Sequence, residues 1–299
     1  MIAAPSVKPM PQSLVLNLTT QSTIPAHQTQ GVALQQLFFH LIDIVDPELG
    51  HVLRRDKENR DYSLSAIQTV SPSLRQLGNP LQGDPLQYVH AQAIAPKTEC
   101  WWRISFLDDE LFDHLIFLWR QFNNEVFPLG DGEVKISQVT ANPLKASWAN
   151  SCSYRDIYEQ ADANQHSIHL QFVTPTTFKT KNLYTPLPTP DVVFQPLRKR
   201  WNRYSGLAFT PNLIDALVPA QFNIRTETVY TRANMSGAIT GCVGQISFRI
   251  VEGGDPLTAK RLNALADFTR YCPVGSNTLL GMGITRRIRD NVISLRRSS

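Results

Sequence analysis

The segment CPVGSNTLLGMGITRR, residues 272 to 287, places three glycines within nine residues and follows them with a pair of arginines. Glycine has no Cβ, so its backbone N–H group can approach an anion such as a phosphate closely. The same pattern is also typical of an irregular, bulged strand. The elements that precede this segment indicate which fold it completes.

The C-terminal half of the chain follows the order β-α-β-β-α-β. Alternating apolar and polar residues predict its strands, and apolar residues three and four positions apart predict its helices. The predicted elements are HSIHLQFVT (166–174), DVVFQPLRKRWNRY (191–204), IRTETVYTR (224–232), GCVGQISFRIV (241–251), DPLTAKRLNALADFTRYC (255–272) and a final strand through TLLGMGITRRIR (278–289).

The N-terminal half repeats this order. Its predicted elements are SLVLNLTT (13–20), TQGVALQQLFFHLIDIV (29–45), YSLSAIQ (62–68), CWWRISFLD (100–108), DDELFDHLIFLWRQF (108–122) and EVKISQVT (133–140). A second helix, DPELGHVLRR (46–55), follows the first one, with Asp46 as its N-cap and Pro47 in its first turn.

The repeated order predicts an α+β protein of two tandem ferredoxin-like domains, the βαββαβ architecture that RNA-recognition modules share. A polar stretch at 141–165 separates the two halves. We therefore expect an N-terminal domain over residues 1–142 and a C-terminal domain over residues 143–299.

The composition is that of a folded protein with local rather than general positive charge. The 299 residues are 42% hydrophobic and 18% charged, with a net charge of +4. These values exclude a disordered polycation, and the basic clusters around Trp201 and after Gly283 favour a specific nucleic-acid site. The chain has no C-x-x-C pair, no signal pattern and no long apolar run. We therefore expect an intracellular, soluble protein without a zinc site, a disulfide framework or a membrane span.

Several segments, in this order along nearly the whole chain, resemble the CRISPR-associated repeat-processing endoribonucleases, the sixth Cas family of the RAMP superfamily. The matching segments are DPELGHVLRRDKENRDYSLSAI (46–67), FVTPTTFK (172–179), LPTPDVVFQPLRKRWNRY (187–204), CVGQISFRI (242–250) and VGSNTLLGMG (274–283). The last of these is similar to the family's glycine-rich loop, except that Cys272 and Pro273 stand where the family usually has a further glycine.

The resemblance implies cleavage of CRISPR repeat RNA by its own 2′-hydroxyl, which leaves a 2′,3′-cyclic phosphate and a 5′-hydroxyl. Such a reaction needs proton transfer and positive charge at the phosphorus, but no metal and no other cofactor. The implied partner is repeat RNA with a stem-loop, together with possible subunits of a CRISPR effector complex, and not DNA. The implied location is the prokaryotic cytoplasm.

The resemblance places the catalytic groups near the end of the helix 46–55. A count without gaps puts Arg54 where the family has its histidine, with His51 one turn earlier, and Phe39 where some members have a tyrosine. We expect His51 to transfer a proton, since the pKa of histidine lies near neutrality. Arg54, Arg55, Lys57 and Arg60 are predicted to contact the scissile phosphate or the RNA. The alternative is a solvated surface helix and loop, and we expect His40 to be a partly buried structural residue.

A second group of residues is predicted to hold the RNA backbone. It contains the glycines of the opening segment and nearby cations, and its members are Arg198, Lys199, Arg203, Gly275, Gly281, Gly283, Arg286 and Arg287. Arg286 and Arg287 alternate between the faces of a strand, so one of them is expected to reach RNA. The alternatives are a helix C-cap at Gly275, a bulged strand at the other two glycines, and a solvated helix face for the cations near Trp201. Trp201 itself is expected to be a core residue.

Two other functions remain open at this level. A catalytically silent RNA-binding scaffold subunit of an effector complex would have the same fold and the same basic residues. A tandem ferredoxin-like protein that binds small metabolites is the least favoured alternative, since no pocket signature is present. His166 and His169 do not suggest a metal site, because residues three apart on a strand point to opposite faces.

Overall fold

The structure is a computed structural model, and it describes residues 10–55, 61–70, 86–230, 237–251 and 256–289. Each half of the chain builds one main antiparallel sheet that is covered by helices, and a separate two-stranded sheet lies in the C-terminal half. Four short 3₁₀ helices join the larger elements in these ranges, at Ala26–Gln28, Arg120–Phe122, Pro211–Ala216 and Thr278–Leu280.

The N-terminal sheet has the strand order β2-β4-β1-β6-β5, and neighbouring strands are antiparallel. The strands are β1 (Gln12–Thr20), β2 (Tyr62–Leu64), β3 (Gln68–Thr69), β4 (Glu99–Phe106), β5 (Val126–Leu129) and β6 (Gly132–Thr140), and the helices are α1 (Val32–Val45), α2 (Pro47–Arg55) and α3 (Asp109–Trp119). Strand β3 also pairs with β4. The apolar face of α1 packs on this sheet, with Leu37 and Phe38 buried beside Trp102 in a single core.

The C-terminal sheet has the order β11-β12-β8-β13, again antiparallel. This half contains β7 (Asn150–Ser151), α4 (Tyr154–Gln160), β8 (Ser167–Thr176), β9 (Phe178–Thr180), β10 (Leu183–Thr185), α5 (Pro190–Tyr204), β11 (Leu217–Tyr230), β12 (Ala238–Ile250), α6 (Pro256–Phe268) and β13 (Thr285–Ile288). Trp201 is fully buried in its core and stacks on Phe209 at a centroid distance of 5.3 Å. The prediction that Trp201 is a core residue is therefore confirmed.

Both sheets have the ferredoxin-like order, because the first strand of each βαββαβ unit lies between the third and the fourth. The predicted α+β fold with two tandem units is confirmed. Strand β5 and the hairpin of β9 and β10 were not predicted, because each is only three or four residues long. A division of the chain at residue 142 stays a prediction.

The polar stretch 141–165 is more ordered than the sequence indicates. Strand β7 pairs with β1 of the N-terminal sheet, whereas Tyr154 and Ile157 of α4 are buried in the C-terminal core. The predicted final strand over 278–289 is also too long, since β13 begins only at Thr285. Gly281 and Gly283 have φ angles of 85° and 80°, which a regular strand does not allow.

The glycine-rich segment joins the two halves. Leu279 is buried in the N-terminal core, and Met282 is fully buried beside Ala66 and Tyr88 of the N-terminal half. The Tyr88 hydroxyl donates a hydrogen bond to the carbonyl oxygen of Leu280 at 3.0 Å. The segment is therefore a part of the C-terminal half that packs directly against the N-terminal half.

A buried arginine of the N-terminal half also joins the two halves. Arg103 of β4 donates through Nε to the carbonyl oxygen of Trp148 at 3.1 Å and through Nη2 to Ser13 Oγ at 2.7 Å. Nη2 also donates to the carbonyl oxygen of Arg270, in the turn that follows α6. Burial lowers the pKa of Arg103 to about 9, and these acceptors compensate for part of the lost hydration.

Gly283→Ala should destabilise the protein more than Gly206→Ala does. Both glycines have positive φ, so alanine at either position costs about 1–2 kcal/mol in backbone strain. A Cβ at Gly283 would also lie 2.0 Å from the carbonyl oxygen of Val274, whereas no atom lies within 4 Å of that position at Gly206. Urea unfolding measures both losses. Equal losses would contradict a packing role for Gly283.

Candidate functional site

Helix α2, which carries His51, begins at the predicted N-cap. The carboxylate of Asp46 accepts a hydrogen bond from the backbone N–H of Leu49 at 2.9 Å, which confirms the capping prediction. The same carboxylate lies 3.0 Å from Nε2 of His114 on α3. The start of α2 is therefore attached to a neighbouring helix as well as to its own backbone.

The end of α2 is attached to α1. Arg54 donates two hydrogen bonds to the carboxylate of Asp43, the one from Nη1 at 2.8 Å, and its guanidinium lies 4.4 Å from the ring centroid of Phe39. The hydrogen bond from Arg54 holds the pKa of Asp43 below its ordinary value. Gly50 makes room for this pair, since a Cβ there would lie 2.1 Å from Asp43 Oδ1.

These two attachments present His51 to solvent. His51 is exposed and forms no hydrogen bond or ion pair with any residue that the structure describes. Arg54 lies one turn later, but its guanidinium is directed to Asp43. Arg55 is exposed at the end of the helix, and Lys57 and Arg60 lie outside the described residues. His40 is exposed on α1, so the expectation that it is partly buried is wrong.

The predicted RNA-binding cations of the C-terminal half fall into two groups. Arg198 and Arg287 are directed into the protein: Arg198 donates to the carbonyl oxygen of Phe209 at 2.8 Å, and Arg287 lies 3.1 Å from Asp267. The side chain of Arg287 is only 5% exposed. Both guanidiniums therefore stabilise the C-terminal half, one at the loop after α5 and the other at α6.

The second group of cations remains accessible. Lys199 is exposed on α5, and Arg203, one turn later, is 3.7 Å from the carboxylate of Asp61 with nearly half of its side chain exposed. Arg286 is half-buried on β13, where it donates to Gln171 Oε1 at 2.9 Å. The ion pair between Arg203 and Asp61 brings this basic surface beside the N-terminal half, close to strand β2.

The glycines of the opening segment pack against protein. A Cβ at Gly275 would lie 2.4 Å from the carbonyl oxygen of Thr177, and one at Gly281 would lie 3.1 Å from the backbone nitrogen of Ala66. Gly281 and Gly283 are buried, and Gly275 is half-buried. Close approach of the protein backbone thus accounts for these glycines, and their contact with RNA stays a prediction.

Sequence reasoning gave no role to several residues that shape this region. Arg200 lies beneath the surface cations, where Nη1 is 3.3 Å from the carbonyl oxygen of Pro273 and 3.5 Å from Cys272 Sγ. It lines a small cavity between the two halves, together with Tyr62 and Tyr271. Asp43 and His114 were also missed, because their partners, Arg54 at the end of α2 and Asp46 at its N-cap, lie 11 and 68 residues away along the chain.

The described residues contain neither a clustered metal-binding site nor a helix that could span a membrane. Within the described ranges, no group of three or more His, Cys, Asp or Glu side chains is placed to hold a metal ion. No described helix combines the length and the apolar character that crossing a membrane requires.

Comparison with known proteins gives matches over most of the chain. The CRISPR Cas6 N-terminal domain model matches residues 10–159, and the model of the CRISPR-associated endoribonuclease Cas6 matches residues 170–285. The curated CRISPR-associated endoribonuclease Cas6 of Streptococcus thermophilus is 26% identical over 219 residues, which cover 68% of this chain and 84% of the relative.

Solved structures of Cas6 proteins share the fold. A Cas6 product complex is 23% identical, with a TM-score of 0.72 and coverage of 93% of this chain and 100% of the other. Cas6 of Thermus thermophilus is 22% identical, with a TM-score of 0.66 and coverage of 93% and 98%. The resemblance in the sequence is thereby confirmed: because the two family models together span most of its length, this chain belongs to the CRISPR-associated Cas6 endoribonuclease family.

Proposed function

We propose that this chain cleaves CRISPR repeat RNA through attack of a ribose 2′-oxygen on the adjacent phosphorus. The new bond from the 2′-oxygen to phosphorus replaces the bond to the 5′-oxygen of the next nucleotide. The products are a 2′,3′-cyclic phosphate and a 5′-hydroxyl. Family membership supports the class of reaction, and the exposed His51 on a doubly attached helix is the observation that carries the assignment within this chain.

His51 is the group that transfers a proton in this proposal. The reaction removes a proton from the 2′-hydroxyl and delivers one to the departing 5′-oxygen, and an imidazole serves either step near neutral pH. Because His51 forms no hydrogen bond with a described residue, its ring nitrogens remain available to RNA. The nucleophile belongs to the RNA itself, so the proposed reaction needs no metal or other cofactor.

Positive charge at the phosphorus comes from residues other than Arg54 in this proposal. The guanidinium of Arg54 is engaged by two hydrogen bonds to Asp43 and by its contact with the ring of Phe39. Arg55 is exposed on the same helix, one turn after His51, and is assigned to the developing phosphorane charge together with Lys57. Arg54 is assigned to positioning: it holds α2 against α1.

The repeat RNA is the proposed partner, with its stem held by phosphate contacts. Lys199, Arg203 and Arg286 are the accessible cations that we assign to these contacts, and Arg60, which lies outside the described residues, is assigned a further contact. Arg198 and Arg287 support this surface from below through their internal hydrogen bonds. Contacts of this kind place the RNA without selecting its sequence. The setting is the prokaryotic cytoplasm, where the product RNA can pass to other effector subunits.

A silent RNA-binding scaffold is the competing function. The observation in its favour is Arg54 at the position where a gapless count expects the family's histidine. Its ion pair with Asp43 gives Arg54 a structural reason to be there, which leaves His51 as the proton-transfer group. Cleavage of a cognate repeat RNA distinguishes the two functions directly.

His51→Ala should bind repeat RNA normally and cleave it about 10²–10⁴ times more slowly, the usual loss for one acid–base group. Single-turnover cleavage in excess EDTA measures this rate and tests independence from metal in the same reaction. Val52→Ala, a change at the neighbouring exposed residue, is the matched control and should cleave at the normal rate.

RNA with 2′-deoxyribose at the cleavage position should bind and remain uncut, because the nucleophile is missing. Normal cleavage by His51→Ala would refute the assignment of His51. Loss of cleavage in EDTA, restored by a divalent ion, would refute the metal-independent mechanism. No cleavage of a cognate repeat by the unmodified protein would favour the scaffold.

Asp43→Ala and Arg54→Ala should slow cleavage to a similar extent, by roughly 10-fold to 100-fold, because each removes the same attachment of α2 and displaces His51. The double variant should be no slower than either single variant, since both changes break one interaction. Affinity for RNA should be unchanged. If Arg54→Ala abolishes cleavage while Asp43→Ala leaves it intact, Arg54 contacts the phosphate and its positioning role is wrong.

Lys199→Ala should weaken RNA binding and reduce the salt slope of log K by about 1, as expected for the loss of one phosphate contact. Arg198→Ala, at the adjacent position, should instead lower the free energy of unfolding, because it removes a buried side chain together with its hydrogen bonds to Gln195 and to the carbonyl oxygen of Phe209. Binding titrations over a range of salt and urea unfolding separate the two effects. A destabilised Lys199→Ala with an unchanged salt slope would contradict the assignment.

A further inference from the structure

Strand β11 forms an edge of the C-terminal sheet, and no described strand pairs with its outer side. The strand is 14 residues long and exposed over most of its length. The backbone N–H and C=O groups on such an edge can pair with another strand, and most proteins block long edges with Lys, Pro or a bulge. Pro219 and a register shift beside it block the first part of β11.

The rest of the strand, QFNIRTETVY at residues 221–230, carries no such block. It contains β-branched and aromatic residues, which favour strand pairing, and its one cation and one anion balance each other. Phe222 and Tyr230 are 48% and 49% exposed. Both lie on the same face of the strand, because their positions differ by an even number and side chains alternate between the faces. Arg225 and Glu227 lie on the opposite face and form an ion pair at 2.6 Å.

We propose that residues 221–230 of β11 pair antiparallel with the same residues of a second copy of this chain, around a two-fold axis at Thr226. This axis places Arg225 opposite Glu227 of the second copy. It also places Phe222 opposite Tyr230 of the second copy. Each pair occurs twice, because the interface is symmetric. The two C-terminal sheets then form one continuous sheet.

The charges select this register over its neighbours. An axis at Arg225 would place two arginines opposite each other, and an axis at Glu227 would place two carboxylates opposite each other. Like charges directly opposite on paired strands are destabilising, whereas opposite charges and aromatic pairs each contribute roughly 0.2–1 kcal/mol. The segment is thus complementary to itself around Thr226. Neither the proposed RNA surface nor α2 contributes to this edge.

The test measures the mass of the full-length protein without RNA, by sedimentation and light scattering, at concentrations up to the order of 100 μM. We expect a dimer for the unmodified chain. Arg225→Glu and Glu227→Arg should each raise the dimer dissociation constant by roughly tenfold or more, since each places two like-charge pairs in the interface.

An equimolar mixture of the two variants should recover the dimer, because every charged pair across the mixed interface is again of opposite sign. The double variant Arg225→Glu/Glu227→Arg should recover it for the same reason. Recovery in the mixture also shows that each variant is folded. Arg155→Glu is the matched control, since Arg155 is another exposed arginine in an ion pair, with Glu159 on α4, and it should leave the dimer intact.

Three results would overturn the proposal. The first is an unmodified chain that stays monomeric over the whole concentration range. The second is a dimer that persists in both single variants or fails to return in their mixture. The third is a monomer in every sample whose RNA affinity falls with the charge reversals, which would assign this edge to RNA.

Discussion

The insertion of the glycine-rich segment between the two sheets is the constraint on which the rest of the structure depends. Leu279 belongs to the N-terminal core although it lies near the end of the chain, and Met282 fills a small cluster shared by both halves. Such close packing leaves no volume for a Cβ at Gly283, and little at Gly281. The two ferredoxin-like units are therefore held in one relative orientation, which sets the distance between α2 and the basic surface of α5.

The candidate site depends on that orientation through a chain of attachments. Asp61, just before β2, pairs with Arg203 of α5, so the basic surface is tied to the half that carries α2. Helix α2 is in turn attached at its start through Asp46 and at its end through Arg54. A short helix would move freely on a loop without such contacts. The proposed proton-transfer group thus has a defined position although it is exposed.

The arginines illustrate how a single residue type serves two physical roles here. Arg103, Arg198 and Arg287 use several donors to satisfy carbonyl or carboxylate oxygens inside the protein. A guanidinium suits this role because its donors are fixed in a plane and its charge is weakly hydrated. Lys199 and Arg203, on the same helix as Arg198, face solvent or the rim of the contact between the halves. A basic cluster in the sequence therefore contains two kinds of residue. Some are arginines that stabilise the protein interior, and others are exposed cations that are candidates for RNA contacts.

The sequence by itself determined the βαββαβ order of each half, the α+β class, the tandem ferredoxin-like fold and the N-cap of α2. These features follow from local periodicity and from single side chains that act on their own backbone, as Asp46 does. The tertiary structure alone decided which face of each element is buried: Arg198 turns inward and Lys199 outward, and Gly281 packs against Ala66. The physical reason is that burial depends on partners far away in the chain, such as Asp267 for Arg287 or Asp43 for Arg54. The residues adjacent in the sequence do not indicate which distant residue a side chain contacts.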